Sequence, residues 1–389
     1  MRNNILLITS AVIILFSAIL ISCTSGESCM SWKDMEAGEL YKEILQMVPE
    51  ALGTELKIGI TNHEWLRTEC GISRPSSDAG ADDVNEYLNE LLAAGCDMNE
   101  YIIHFASGSF LCGIGMVSSI SESPIRYENV GFGPQNVDID VGITLGASQI
   151  EIILGQFDLG AIDEAMNRMD ESVKPVRTKY KGVDILDWGG SGVDLNRKLA
   201  PPVYDQLGRG GVIAIQGDCI MRALEMETIK QMIDARKGDI PSLADNNDFV
   251  MITDALAEMG ARNLYLSGDV PSYEIYRGLK ESVKTSWGAI WEVELLDTYN
   301  VSGSGTGKDE LGNYSSVVLV FDDAESAETN VEKLTNRINA GMELRNTVWP
   351  ENPDEYEIRA EGRTLRVIMR GIVGVLGPTV GNSNFFMGP

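Results

Sequence analysis

Residues 149–188, QIEIILGQFDLGAIDEAMNRMDESVKPVRTKYKGVDILDW, set strand, helix and strand in succession. Positions 149–154 are apolar and β-branched enough for a strand. After Gly155-Gln156-Phe157-Asp158, a helix places Leu159, Ile162, Met166 and Met169 on one face. Positions 180–188 return as a strand. The pattern is echoed later in the chain: 316–320 reads as a strand, Phe321-Asp322 follows, and Ala324, Ala327, Val331, Leu334 and Ile338 line one face of a helix. Gly341 suits the left-handed position after that helix, and strand residues return over 356–369. In each copy an Asp stands where an N-cap oxygen would accept from the first free amides, with Phe before it as a hydrophobic staple.

On the N-terminal side, 35–51 spaces Leu40, Ile44, Leu45 and Val48 for a helix, and 56–60 reads as a strand. Residues 73–82 are loop by composition. The segment 83–94 is a helix with Val84, Leu88, Leu91 and Leu92 inward, and 101–118 is strand material broken by Gly108 and Gly113. The later half offers a strand at 212–216, helices within 222–237 and 248–259, and strands at 264–267 and 287–296. Arg236-Lys237 suit a last helical turn before Gly238, Asp245 suits the next cap, and Gly260 ends that helix. The expected fold is α+β: two related halves, each an antiparallel sheet with helices on one face, ferredoxin-like-related in layout.

The chain has 389 residues, 44% of them apolar, enough for a sizeable core. It carries 58 acidic against 31 basic residues, a formal net charge of −27. That balance argues against nucleic acid, whose phosphates need clustered Lys and Arg. It suits solubility, or attraction to basic or cationic partners.

The N-terminus has a separate signature. One basic residue, Arg2, precedes an apolar run over 5–21, and Leu20-Ile21-Ser22-Cys23 follows. A charged head, an apolar stretch and a small residue before the cut describe a signal peptide. Its last four residues resemble the lipobox of bacterial lipoproteins. The resemblance implies cleavage between Ser22 and Cys23 and a diacylglyceryl, palmitate-type modification of Cys23. The protein would then sit outside the cell membrane, or in the outer membrane of a cell that has one. An uncleaved transmembrane anchor is the competing reading, and the 17-residue run is at the short limit for spanning. The expected organisation is a signal peptide over 1–22, a lipidated tether over 23–36, and halves over 37–200 and 201–389. GQFDLGAIDEAM, YKGVDILDW and IDARKGDIPSLADNNDF, within about 130–265, also resemble a group of uncharacterised bacterial exported proteins and lipoproteins. That resemblance implies location and architecture, and no activity.

Lipidation of Cys23 would leave five cysteines: Cys29, Cys70, Cys96, Cys112 and Cys219. A disulfide among Cys70, Cys96 and Cys112 and buried free thiols are both compatible with the spacing, which does not set connectivity. No CxxC occurs, so a zinc knuckle is unsupported.

Other motifs fail on inspection. Gly303-Ser304-Gly305-Thr306-Gly307-Lys308 lacks the outer Gly of a phosphate loop, and Asp309 follows the Lys; 301–314 reads instead as a long hairpin loop. Gly189-Gly190-Ser191-Gly192-Val193 is not a nucleophile elbow. The two histidines, His63 and His104, lie near Cys70 and Cys112 in sequence, and His63-Glu64 does not continue to HExxH. Asp245 to Asp248 fails as a calcium loop because Val250 stands where Gly is needed. Asp138 and Asp140 would share a strand face, Asp184 and Asp187 flank a strand end, and Asp194 follows the glycines. Trp287 and Trp291 share a strand face, as core or as an aromatic strip. No catalytic set, metal site or cofactor emerges. The reading is a lipid-anchored envelope protein with a non-catalytic binding or structural role. The alternative is an extracytoplasmic hydrolase or cation-binding protein that uses surface carboxylates.

Overall fold

The computed structural model describes residues 32, 35–53, 55–76, 79, 82–84, 86–87, 89–91, 130–145, 148–189, 192–193, 196, 209–268, 296–343 and 355–370. The chain divides into two units, Met1–Glu36 and Ala37–Pro389. The first contributes only positions 32, 35 and 36 to the described residues. The export segment, the lipobox and Cys23 lie outside them, as do 101–118, His104, Asp194, Trp287 and Trp291. No helix among the described residues is long and apolar enough to cross a membrane.

The second unit is a mixed α+β structure on a large antiparallel sheet. Its strands are β1 (Lys57–Asn62), β2 (Val137–Leu145), β3 (Ser148–Gly155), β4 (Val176–Tyr180), β5 (Val183–Asp187), β6 (Val212–Gln216), β7 (Cys219–Ala223), β8 (Asn263–Ser267), β9 (Val301–Asp309), β10 (Gly312–Val320), β11 (Glu355–Glu361) and β12 (Thr364–Arg370). They pair in the order β11-β12-β10-β9-β8-β1-β2-β3-β7-β6-β5-β4. The helices are α1 (Ala37–Gln46), α2 (His63–Cys70), α3 (Leu159–Arg168), α4 (Met226–Arg236), α5 (Asn247–Glu258) and α6 (Ala324–Glu343).

Helices cover both faces of the sheet, not one as the sequence suggested. The strands themselves show why. Every residue of β7 and β8 is buried, as are the first seven of β2, and such strands need apolar cover on each side. Register puts Ile153, Ile220, Ile213 and Leu186 on one face. There they pack with Leu66 of α2 and with Ile162, Ala165 and Met166 of α3. Val317, Leu319, Leu365 and Val367 lie on that same face further along, under Ala327, Leu334 and Ile338 of α6. The opposite face is covered by α1, α4 and α5. Tyr41 donates to the Ala261 carbonyl (2.7 Å), Gln46 to the Ala235 carbonyl (2.8 Å), and the buried Cys219 thiol meets the Met47 sulfur at 3.7 Å. Each fully buried Leu or Ile in these layers contributes about 1.5–3 kcal/mol.

Local signals hold where one element decides them. Asp158 caps α3 by accepting from Gly160 (2.8 Å) and Ala161 (3.2 Å). Phe157, just before it, packs on the core beside Phe132. Val84, Tyr87 and Leu91 are buried on helical positions. Elsewhere the structure departs from the local pattern. Residues 180–188 are not one strand: Lys181-Gly182 turns the chain between β4 and β5, and Gly362 does the same between β11 and β12. Asp323, not Asp322, caps α6, accepting from Ser326 (2.7 Å), and that helix continues through Gly341 to Glu343. Arg222 belongs to β7, ahead of α4. Asn246 caps α5, while Asp245 accepts from the Ser242 amide (2.9 Å) in a capping box.

The expected loop over 301–314 is instead the β9–β10 hairpin, turning at Glu310-Leu311. Its glycines face α5 and its flank. A Cβ on Gly303 would lie 2.8 Å from Ile252, and one on Gly305 2.6 Å from the Ala261 Cβ. The missing side chains let α5 sit close to the sheet.

Candidate functional site

At one end of β2 and β3 a cleft of about 610 Å³ opens between Arg74-Pro75, the turn holding Gln135-Asn136, the 155–158 connection and the Gly217-Asp218 turn. The walls are fastened by backbone. Gln156 donates to the Asn136 carbonyl (2.8 Å), Gly155 to the Asp218 carbonyl (2.9 Å), and the Asn136 side chain to the Gln156 carbonyl (3.0 Å). Gly155 is required here, because a Cβ would stand 2.0 Å from the Asn136 oxygen.

Beneath the cleft is a buried charge cluster. Asp138 is the extra residue of a β-bulge, where pairing jumps from Val137 to Ile139, and is 0% exposed. Arg67 of α2 donates to Asp138 and Glu64, to Tyr87 Oη (2.8 Å) and to the Val137 carbonyl (2.9 Å). Arg74 joins from above, bridging Asp138 and Glu64. Burial and the neighbouring Arg67 push the Arg74 pKa down, and burial pushes the Tyr87 phenol up. Planar guanidinium forks suit such shared carboxylates.

A second polar group lies further along the same sheet face. Glu151 is opposite Arg222 in register, with Nη1 3.6 Å from its carboxylate. Burial pushes the Glu151 pKa well above the ordinary carboxylate range, and Asp140 adds to the shift against Arg222.

Gln135 has a different environment. The residue borders the cleft but is only 1% exposed, and its amide nitrogen and oxygen are buried with no hydrogen-bond partner. Such groups are rare in folded proteins.

Among the residues singled out from sequence, the structure brings Asp138 and Asp140 to one face, both buried. It leaves the others that lie among the described residues apart. Asp184 pairs loosely with Lys179 (3.6 Å), Asp187 accepts from the Gly189 amide (2.7 Å), and Asp248 binds Arg363 (2.8 Å) and Asn300 (2.9 Å). His63 is buried at the start of α2, Cys70 is exposed at its end, and Cys219 is a buried free thiol. Cys29, Cys96 and Cys112 lie outside the described residues. No three His, Cys, Asp or Glu side chains converge on a metal position among the described residues. Sequence reading missed Arg67, Arg74, Tyr87 and Gln135. Only the pair Asp138/Asp140 hinted at the cluster, because its cations lie some 70 positions away.

No family model matches the chain, and no curated protein matches it significantly. Solved structures of TP0453 are similar. Crystal form I gives a TM-score of 0.39 at 8% identity, covering 90% of this chain and 98% of that one. Crystal form III gives 0.35 at 9%, covering 86% and 96%. Crystal form IV gives 0.35 at 8%, covering 90% and 99%.

Proposed function

We propose that the protein is a lipid-anchored extracytoplasmic envelope protein with a non-catalytic binding role. One observation carries the anchoring: the apolar run over 5–21 ends in Leu20-Ile21-Ser22-Cys23. A thioether-linked lipid on Cys23, with a further acyl chain, holds a protein at a bilayer where a single chain does so only marginally. A binding rather than catalytic role is supported by the use of two carboxylates beneath the cleft. Glu64 and Asp138 are both tied to arginines, which makes them charge partners rather than proton-transfer groups. Labelled palmitate is expected to enter the protein, and Cys23→Ala is expected to release it from the membrane fraction. Absence of label, with Cys23→Ala still membrane-bound, ends the anchoring reading.

The two-halves layout, over 37–200 and 201–389, belongs to the same proposal. It is supported by order: β1, β2, β3, α3, β4 and β5 run in the same sequence as β8, β9, β10, α6, β11 and β12, and β1 pairs with β8 at mid-sheet. The copies differ in strand pairing. β12 pairs directly with β10, whereas the β6–β7 hairpin, which falls in the second range, stands between β5 and β3 of the first. An experimental structure in which these two series fail to superpose by a rotation between β1 and β8 would remove the duplication.

A further inference from the structure

The two edges of the sheet are built differently. β4 has five residues, follows Pro175 and carries two like charges, Arg177 and Lys179, devices that keep an edge strand from pairing with another chain. β11 lacks them. It runs seven residues in unbroken register with β12, with no Pro, Lys or bulge, and among the described residues β12 is its one partner strand. Alternate residues along β11 therefore keep a backbone N–H and C=O for a further strand.

The side chains of β11 are self-complementary. Tyr356, Ile358 and Ala360 lie half-buried on the face under α6, and Glu355, Glu357, Arg359 and Glu361 lie on the other. Two chains of net charge −27 repel each other, so an interface between copies needs a strip where opposite signs meet locally. A twofold axis through Ile358, perpendicular to the sheet, supplies one. Antiparallel pairing about that axis sets Glu357 opposite Arg359 of the second copy, and Arg359 opposite its Glu357. Glu357 is 64% and Arg359 52% exposed, and within one chain they touch only loosely, at 3.7 Å. Tyr356 then meets Ala360, large against small, and Ile358 meets its own copy. Glu355 meets Glu361, but each already faces a cation of its own chain. Glu355 stands opposite Arg370 in register, and Glu361 lies 3.1 Å from Arg366. Axes through Glu357 or Arg359 instead set that residue against its own like charge. On β4, a twofold through Thr178 would set Arg177 against Lys179 of the second copy.

We infer that two copies of this chain associate through β11, as an antiparallel pair about Ile358 that joins their sheets, with the Glu357–Arg359 pairs fixing the register. The inference goes beyond the proposed binding role and is independent of the lipid on Cys23.

The test uses the full chain in non-ionic detergent, with its mass read by sedimentation equilibrium. The parent is expected to be dimeric at about 100 μM, in the weak range of small interfaces. Glu357→Arg and Arg359→Glu are each expected to weaken the dimer at least about tenfold, because each turns two opposite-charge pairs into two like-charge pairs. Both positions are exposed, so each variant is expected to melt within about 2 °C of the parent. An equimolar mixture of the two variants is expected to recover the parental association, since opposite charges then face each other across the axis. One chain carrying both reversals is expected to recover it as well, for the same reason. A parent that stays monomeric at that concentration, a dimer unmoved by either reversal, or no recovery in the mixture and the double variant overturns the assignment.

Discussion

Replacing Arg67 by Met tests whether the buried charge cluster holds the cleft end of the sheet together. The guanidinium is 4% exposed and Asp138 is 0% exposed. Breaking a buried pair by removing one partner costs about 3–5 kcal/mol, because the surviving charge is left uncompensated. Arg74 still reaches Asp138, which favours the lower part of that range. Against this, the Tyr87 hydroxyl and the Val137 carbonyl each lose a donor, at about 1 kcal/mol apiece. The expected loss is therefore about 4 kcal/mol. With a denaturant slope of about 3 kcal/mol/M, the urea midpoint falls by a little over about 1 M. Arg67→Lys should lose nearly as much, since an ammonium cannot serve four partners in fork geometry. Glu64→Gln should cost under about 1 kcal/mol, because that carboxylate is 42% exposed. In a double-mutant cycle, Arg67→Met with Asp138→Asn should fall short of the summed single losses by about 2 kcal/mol. A loss below about 1 kcal/mol for Arg67→Met, or strict additivity with Asp138→Asn, refutes the reasoning.

Three further outcomes are expected. The Glu151 pKa is raised by burial, so the folded state holds this proton more tightly than the unfolded state does. Its stabilising contribution is full below the ordinary value of 4.5 and is lost as pH rises through the higher folded value. Glu151→Gln should flatten the decline of urea midpoint as pH rises above 4.5; an unchanged slope counts against it. Asp323→Ala should destabilise by about 1 kcal/mol and Asp322→Ala by no more than about 0.5, as read by thermal or urea unfolding, because only Asp323 caps α6. Burial pushes the Cys219 thiol up to about 11, so iodoacetamide should leave Cys219 unmodified in the native protein and label it in urea, as mass spectrometry of the peptides would reveal.

What the sequence alone determined is local. The apolar spacing of α1 and α3, the Asp158 cap and the strand material over 149–154 each depend on residues within one turn or one strand, where side-chain period and capping chemistry act. The sequence-based errors are also local in origin. Lys181-Gly182 sits inside a β-rich run that hides its turn, and the alternating Gly and Ser of β9 read as loop until α5 is packed against them. Tertiary structure decided the rest. The pairing of β1 with β8 joins residues about 200 positions apart. Cover on both faces shows only once the strands are aligned, since near-continuous burial in β7 and β8 leaves no alternation to mark an outer side. The Arg67–Asp138–Arg74 cluster and the orphaned Gln135 amide exist only after folding has removed water from them. Their energies arise from desolvation, a property of the surroundings that no short stretch of sequence contains.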